Sequence, residues 1–353
     1  MRRSLVLGSL TFPLLLLAAC TASRPEAPAP EPRVETVETG TDALLIGLDA
    51  AGENVVWAAG AAGTWARSLD GGRTWTTGKV PGADTLQFRD VEAFSAREAV
   101  LLSIGNGASS RVYRTDDGGA TWALRWTNAD PAAFYDCMAF EDARRGFAFS
   151  DAVANADSTR FRLPVIETED GGRTWALAPP ERTPDARPGE GGFASSGTCA
   201  VADGDGRRIV TNGGDGPDRL LTRAGGANWR ATVLPVRSDD GGRGLSTLAR
   251  RGTTLYAGLL GDIDSVTVLR GEDLGRAWRP LGRTTIRRVY GLAASPRAGV
   301  LAATGPDGLD VSLDDGRTWR HLTSDVLWTV TALSDGTFLA AGRAGKVARI
   351  TFP

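Results

Sequence analysis

The residues able to do chemistry in this chain are carboxylates and arginines, four tyrosines, three cysteines and one histidine. The carboxylates show the clearest pattern. Asp70, Asp117, Asp170 and Asp314 each sit in one short phrase, written Ser68-Leu-Asp70-Gly71-Gly72-Arg-Thr74-Trp75 in its first copy. The later copies end at Trp122, Trp175 and Trp319. Such an aspartate suits a tight turn better than catalysis. Its carboxylate accepts hydrogen bonds from the turn's own amides, and glycine supplies positive φ at little steric cost. The Ser or Thr two residues earlier adds a hydroxyl. The tryptophan buries a large apolar face, expected where neighbouring units meet. Two eroded copies, ending at Trp229 and Trp278, stand between the third and the last.

Other candidates are sparser. His321 follows Trp319 on an expected outer strand, peripheral for a triad or a metal site, and reads as solvent-facing. Aspartate-rich turns at 203–206, 215–218 and 238–242 lack the spacing of a calcium-binding loop and read as ordinary turns. Cys137 and Cys199 lie on expected first strands of successive units. A disulfide and two buried thiols are both open readings, and the strict geometry of a disulfide puts the thiols first. No Cys-x-x-Cys supports a redox role.

These groups need elements to position them. The closing tryptophans recur 41 to 54 residues apart, the range of a four-stranded propeller blade. Ahead of each runs a series of short apolar segments bounded by Gly, Asp and Ser, the pattern of hairpins. No useful helical periodicity is present, and 45 glycines and 18 prolines agree with strands and turns. The expectation is an all-β, seven-bladed propeller over residues 33–353. Its last unit starts at Leu327 and has room for three strands, so Arg33–Glu38 is expected to complete it and close the ring. Six or eight blades fit less well.

In such a ring, ligands dock where the axial strands start and at the loops beside them. By this rule the binding face gathers Arg89, Asp90, Tyr135, Asp136, Asp151, Ser196, Asn212, Asp262, Arg288, Tyr290, Asp307 and Trp328. This mixture suits a polar ligand or a peptide. The competing reading is that Asp and Arg near the axis pair with each other to fill the channel.

The N-terminus carries export signals. Met1-Arg2-Arg3 and an apolar run to Ala19 read as a signal peptide over 1–19, too short for a comfortable membrane span. Leu17-Ala18-Ala19-Cys20 resembles a bacterial lipobox, which implies lipidation of Cys20. Residues 20–32, rich in Pro, Ala and Glu, read as an extended tether. Together these imply a membrane-anchored lipoprotein; Thr21 after the cysteine favours the periplasmic face of the outer membrane. The 40 Lys plus Arg nearly balance 42 Asp plus Glu, and no basic stripe with aromatics appears. Nucleic-acid binding is therefore disfavoured.

The repeated phrase resembles the Asp-box, or bacterial neuraminidase repeat. With the segments Phe88–Phe94, Phe140–Asp151 and Ala344–Ile350, the chain is similar to the photosystem II stability/assembly factor-like group of bacterial propellers. The resemblance covers the chain beyond the tether and implies no cofactor: no Gly-x-Gly-x-x-Gly opens a helix, and no cysteine cluster suits iron–sulfur. It implies a monomeric, non-catalytic scaffold that binds an envelope protein or peptide. The alternative is a sialidase-like glycan-binding or glycan-hydrolysing propeller. Phe161-Arg162-Leu163-Pro164 resembles the Phe-Arg-Ile-Pro of sialidases, but it is misplaced just before the third turn and reads as coincidence. Glu is nearly absent from the candidate face, where a Tyr–Glu pair would be needed, so binding is the favoured reading.

Overall fold

The computed structural model describes residues 31–353 except 214–215, 236–243 and 264–265; the side chains of Asn212, Asp262, Ile263 and Val266 also lie outside the described set. The signal peptide, Cys20 and most of the tether therefore fall outside it, as do parts of two aspartate turns. Among the described residues no helix is long and apolar enough to cross a membrane.

Residues 32–353 form one compact unit built of antiparallel meanders. The first sheet runs Leu45–Ala51, Val55–Gly60, Thr64–Ser68 and Thr76–Lys79 in chain order. Five more follow the same plan, with first strands Phe88–Ala93, Tyr135–Phe140, Ala200–Asp203, Gly244–Arg251 and Gly291–Ala294. A last sheet holds Leu327–Ala332, Phe338–Gly342 and Lys346–Thr351, and its fourth strand is Arg33–Glu38, paired antiparallel with Lys346–Thr351 from Arg33↔Thr351 to Glu38↔Lys346. The first strands touch in chain order, and Leu327–Ala332 touches Leu45–Ala51. A small extra sheet, Val153–Ala154, Phe161–Arg162 and Asp185–Ala186, branches from the third sheet and takes up Phe161-Arg162.

The repeated phrase joins the third strand of a sheet to its fourth. Asp70 Oδ1 accepts the amides of Arg73 and Thr74 at 3.0 and 2.9 Å, and Oδ2 accepts the Thr74 hydroxyl at 2.6 Å. The Ser68 hydroxyl accepts the Gly72 amide at 2.8 Å. Burial pushes the Asp70 carboxyl up, but these bonds, led by Thr74, outweigh it and hold its pKa at about 2. Each turn also lies against the preceding sheet. A Cβ on Gly72 would meet Leu339, and one on Gly119 would meet Trp65. Trp75, Trp175 and Trp319 cap their own turns through Nε1–H to the Gly72, Gly172 and Gly316 carbonyls. Their rings pack into the clusters between successive sheets, and Trp122 joins Trp57 and Trp65 in the same way. The core is thus a series of inter-sheet layers rather than one central mass.

Cys137 and Cys199 are joined in a disulfide, with Cα atoms 5.9 Å apart. The thiol reading fails because two adjacent first strands bring these side chains face to face. His321 is also not simply solvent-facing. Its Nδ1 lies 2.9 Å from buried Asp310 and its Nε2 lies 3.0 Å from Ser324 Oγ.

Candidate functional site

Strands alternate direction, so the starts of the first strands lie at the opposite end of the sheets from the repeated turns. At that end, pairing slips by one residue in five first strands. The slips leave Ile46, Arg89, Asp136, Ser246 and Trp328 unpaired. A bulge of this kind re-aims the side chain it frees and is common beside functional sites. Three of the five, Arg89, Asp136 and Trp328, are among the residues expected from sequence.

The space between these bulges is crossed by the chain itself. The segment 190–198 leads into the fourth sheet and passes over the strand starts of its neighbours. Its root is Glu190, buried, which accepts Thr211 Oγ1 at 2.6 Å and Arg219 Nε at 2.7 Å. Arg89 Nη1 donates to the Ala194 carbonyl at 2.6 Å. The Ser195 and Ser196 hydroxyls both donate to the Tyr290 carbonyl, at 3.1 and 2.6 Å. Thr329 Oγ1 donates to the Ser196 carbonyl at 3.4 Å. Gly197 has φ +73°, and a Cβ there would stand 2.6 Å from Asp90 Oδ1, so close approach and backbone conformation both require glycine.

On this crossing lies a half-exposed platform. Phe193 and Tyr290 rings are 5.7 Å apart, Tyr290 and Trp328 are 5.1 Å apart, and the Arg89 guanidinium sits 5.7 Å from the Trp328 ring centroid. Aromatic faces and a guanidinium in contact form a surface with both apolar area and charge. Phe193 is the residue that sequence reasoning missed. Its signal was the Gly-Gly-Phe-Ala-Ser-Ser-Gly run in an unusually long connection.

Beneath the platform, carboxyls gather. Asp136 is buried, and its pKa is well above the usual range, first from desolvation and then from Asp151 beside it. It hydrogen-bonds to Asp151, whose own pKa burial raises to about 6. Asp90 accepts the Met138 amide at 2.6 Å. Asp49 accepts the Ala93 amide at 2.8 Å, and burial raises its pKa to about 6. Glu92 is pushed well up by burial and then by Asp49 and Asp90.

The other expected residues divide. Tyr135 is a correction: its ring is 1 % exposed and packs at 4.8 Å on Trp126 between the second and third sheets, away from the face. Asp90 and Ser196 are buried and spend their polar atoms within the fold. Arg288 and Asp307 are exposed and lie 3.7 Å apart, a loose ion pair near the rim. Asn212 pairs through its backbone with Gly191, but its side chain and that of Asp262 lie outside the described residues. The expected face therefore reduces to Arg89, Tyr290 and Trp328, joined by Phe193. Among the described residues no cluster of His, Cys, Asp and Glu suits a metal ion.

No family model matches the chain, and no curated protein matches it. Solved structures do. The structure described as YCF48 bound to D1 peptide aligns with a TM-score of 0.64 at 16% identity, over 91% of this chain and 95% of that one. YCF48 from Cyanidioschyzon merolae gives 0.60 at 17% identity, over 90% and 98%. A streptogramin B lyase gives 0.62 at 10% identity, over 91% and 98%. YCF48 and the lyase are β-propellers. This chain shares their fold. At these identities the likeness concerns architecture and not activity.

Proposed function

We propose that this chain is a non-catalytic propeller scaffold that binds a protein or peptide through the Phe193–Tyr290–Trp328–Arg89 platform. In this reading the six four-stranded sheets and the five-stranded one are blades of one ring, closed by Arg33–Glu38, and the repeated turns are Asp-boxes. Residues 1–19 are a signal peptide, and 20–32 carry lipidated Cys20 and the tether. The domain is held at a membrane of the cell envelope, on the periplasmic face of the outer membrane.

The platform carries the reading. Trp, Tyr and Arg are the residue types that dominate binding energy at protein interfaces. Here they are half-exposed, in mutual contact and fixed by bulges and by the crossing segment. The fold likeness to a YCF48 captured with a D1 peptide is consistent with a peptide-binding propeller. The tyrosines support binding over hydrolysis. Tyr113, Tyr135 and Tyr256 are buried, and among the described residues no glutamate hydrogen-bonds the Tyr290 hydroxyl.

The test is site-specific photo-crosslinking in cells from positions 193 and 328, with Leu69 and Leu313 at the opposite end as controls. Capture of one protein from the platform alone, lost in Arg89→Ala, is expected. Equal capture from both ends, or capture of glycan together with hydrolysis of a fluorogenic sialoside, overturns the reading. Cys20→Ser should abolish fatty-acid labelling; labelling that persists sinks the anchor assignment.

A further inference from the structure

The third and fourth strands of a sheet share one cross-strand pair that can be compared along the chain. It reads Ala66↔Thr77, Tyr113↔Leu124, Ile166↔Leu177 and Leu269↔Pro280 in four sheets. In the sixth sheet, between Gly308–Ser312 and Arg320–Thr323, it reads Asp310↔His321. The third-strand member is buried in all five. The sixth sheet therefore buries a carboxylate where the others bury an apolar or aromatic side chain, and sets the chain's one histidine opposite it. Burying a carboxylate is costly unless hydrogen bonds satisfy it. The other four sheets are held together without one at this position.

Asp310 is well satisfied. Its Oδ2 accepts the amides of Thr285 and Ile286, and its Oδ1 accepts the Thr285 hydroxyl at 2.7 Å. His321 Nδ1 lies 2.9 Å from the same Oδ1. With three other donors on it, the carboxylate is the acceptor, so Nδ1 carries the ring proton and Nε2 keeps its lone pair. Nε2 lies 3.0 Å from Ser324 Oγ, whose hydroxyl is then the donor. Gly308 backs the ring: a Cβ there would stand 2.6 Å from His321 Cε1. Asp310 is sealed inside the fold, while His321 and Ser324 are exposed. A buried carboxylate, an imidazole oriented by it and a solvent-facing hydroxyl, bonded in series, are the parts that activate a serine for acyl transfer.

We infer that Ser324 is an activated nucleophile that takes the acyl group of a small carboxylic ester. Its Oγ bonds to the ester's carbonyl carbon as its proton passes to His321 Nε2. The bond from that carbon to the alkoxy oxygen breaks, the alcohol leaves with the proton from His321, and Ser324 is left esterified. Asp310 is a positioning residue: it fixes the tautomer and stabilises the imidazolium that forms. Ser324 stands on the surface, so the choice of ester rests on a good leaving group more than on shape, and aryl esters are the class that fits. None of these residues belongs to the aromatic platform. A single acylation is a modification and not turnover, so the binding reading stands or falls without it.

The experiment treats the folded protein with p-nitrophenyl acetate and maps acetyl groups over time by peptide mass spectrometry. Ser324 is expected to acetylate at least about 100-fold faster than Ser158, an exposed serine that no histidine contacts among the described residues. His321→Gln, an exposed change whose fold is checked by its melting temperature, should erase that advantage. Asp310→Asn keeps the shape but loses the hold on the tautomer, and should slow Ser324 at least about tenfold while leaving Ser158 unchanged. No acetyl group on Ser324, a rate equal to that of Ser158, or an unchanged rate in His321→Gln would each overturn the proposal.

Discussion

The Arg89 guanidinium donates to the Ala194 carbonyl at 2.6 Å, tying the second sheet to a segment 105 residues further along the chain. The same group lies over Trp328 of the last sheet. One side chain therefore joins three distant parts of the chain at the candidate face. Arg89→Ala should cost about 1–2 kcal/mol, since a charged hydrogen bond and a cation–π contact are lost together. Its sharper signature is local. Amide exchange across 190–198 should rise several-fold while that of the sheets stays fixed. Unchanged protection would mean that the serine and Glu190 contacts alone hold the segment.

The repeated turns were legible because their physics is local. Ser68, Asp70, Gly72 and Thr74 bond to one another within a few residues, so spacing alone reveals them. The strand language of the units was legible for the same reason. The face was harder to read. Which of Phe134, Tyr135 and Asp136 points inward depends on a one-residue slip between Tyr135 and Cys137, and period-two reasoning cannot see a bulge. That slip leaves Asp136 unpaired beside Asp151 and sets Tyr135 against Trp126. The crossing segment was invisible because its partners, Arg89 and Tyr290, lie about a hundred residues away on either side.

The Cys137–Cys199 disulfide spans 62 residues and joins the third and fourth sheets, where the wide connection 178–199 interrupts the regular plan. Chain-entropy arguments give a loop of this size about 4 kcal/mol of stabilisation. Cys137→Ser with Cys199→Ser should lower the urea midpoint accordingly, and dithiothreitol should do the same to the parent. Free thiols at both positions in the denatured, unreduced protein would refute the bond.

Stability should fall as pH rises from about 4 to 6. Burial lifts Asp49 and Asp151 to about 6, above the range near 4 expected in the unfolded chain. Between those values the folded state holds protons that the unfolded state has released. The stabilisation is complete below about 4 and is lost as pH passes through 6. Asp70 acts in the opposite sense, because its pKa of about 2 means that its contribution disappears only in acid. An optimum near pH 4 follows. Asp49→Asn keeps an acceptor for the Ala93 amide and removes the buried charge. It should stabilise the protein at pH 7.5 by on the order of 2 kcal/mol and have little effect at pH 4.5. A destabilised variant at pH 7.5 would show that the charged form is the one the fold needs.

The repeated turn combines two kinds of stabilisation, and they can be separated at the last copy. Asp314 bonds only within its turn, accepting the Thr318 amide at 2.8 Å and hydroxyl at 2.6 Å and the Ser312 hydroxyl at 2.9 Å. It resembles a helix N-cap in satisfying local donors, so Asp314→Ala should cost about 1–2 kcal/mol. Asp314→Asn retains one acceptor and should cost less. Trp319 does more. Its Nε1–H caps the Gly316 carbonyl, and its ring packs with Tyr256, Leu301 and Leu281 where the fifth sheet meets the sixth. Trp319→Ala should therefore cost about 3 kcal/mol or more. Urea unfolding of the three variants gives the order Trp319→Ala, Asp314→Ala, Asp314→Asn from most to least damaging. Neither aspartate variant should change capture at position 328, because the turn lies at the other end of the sheets. A larger loss for Asp314→Ala than for Trp319→Ala would mean that the carboxylate holds neighbouring sheets together and not merely its own turn.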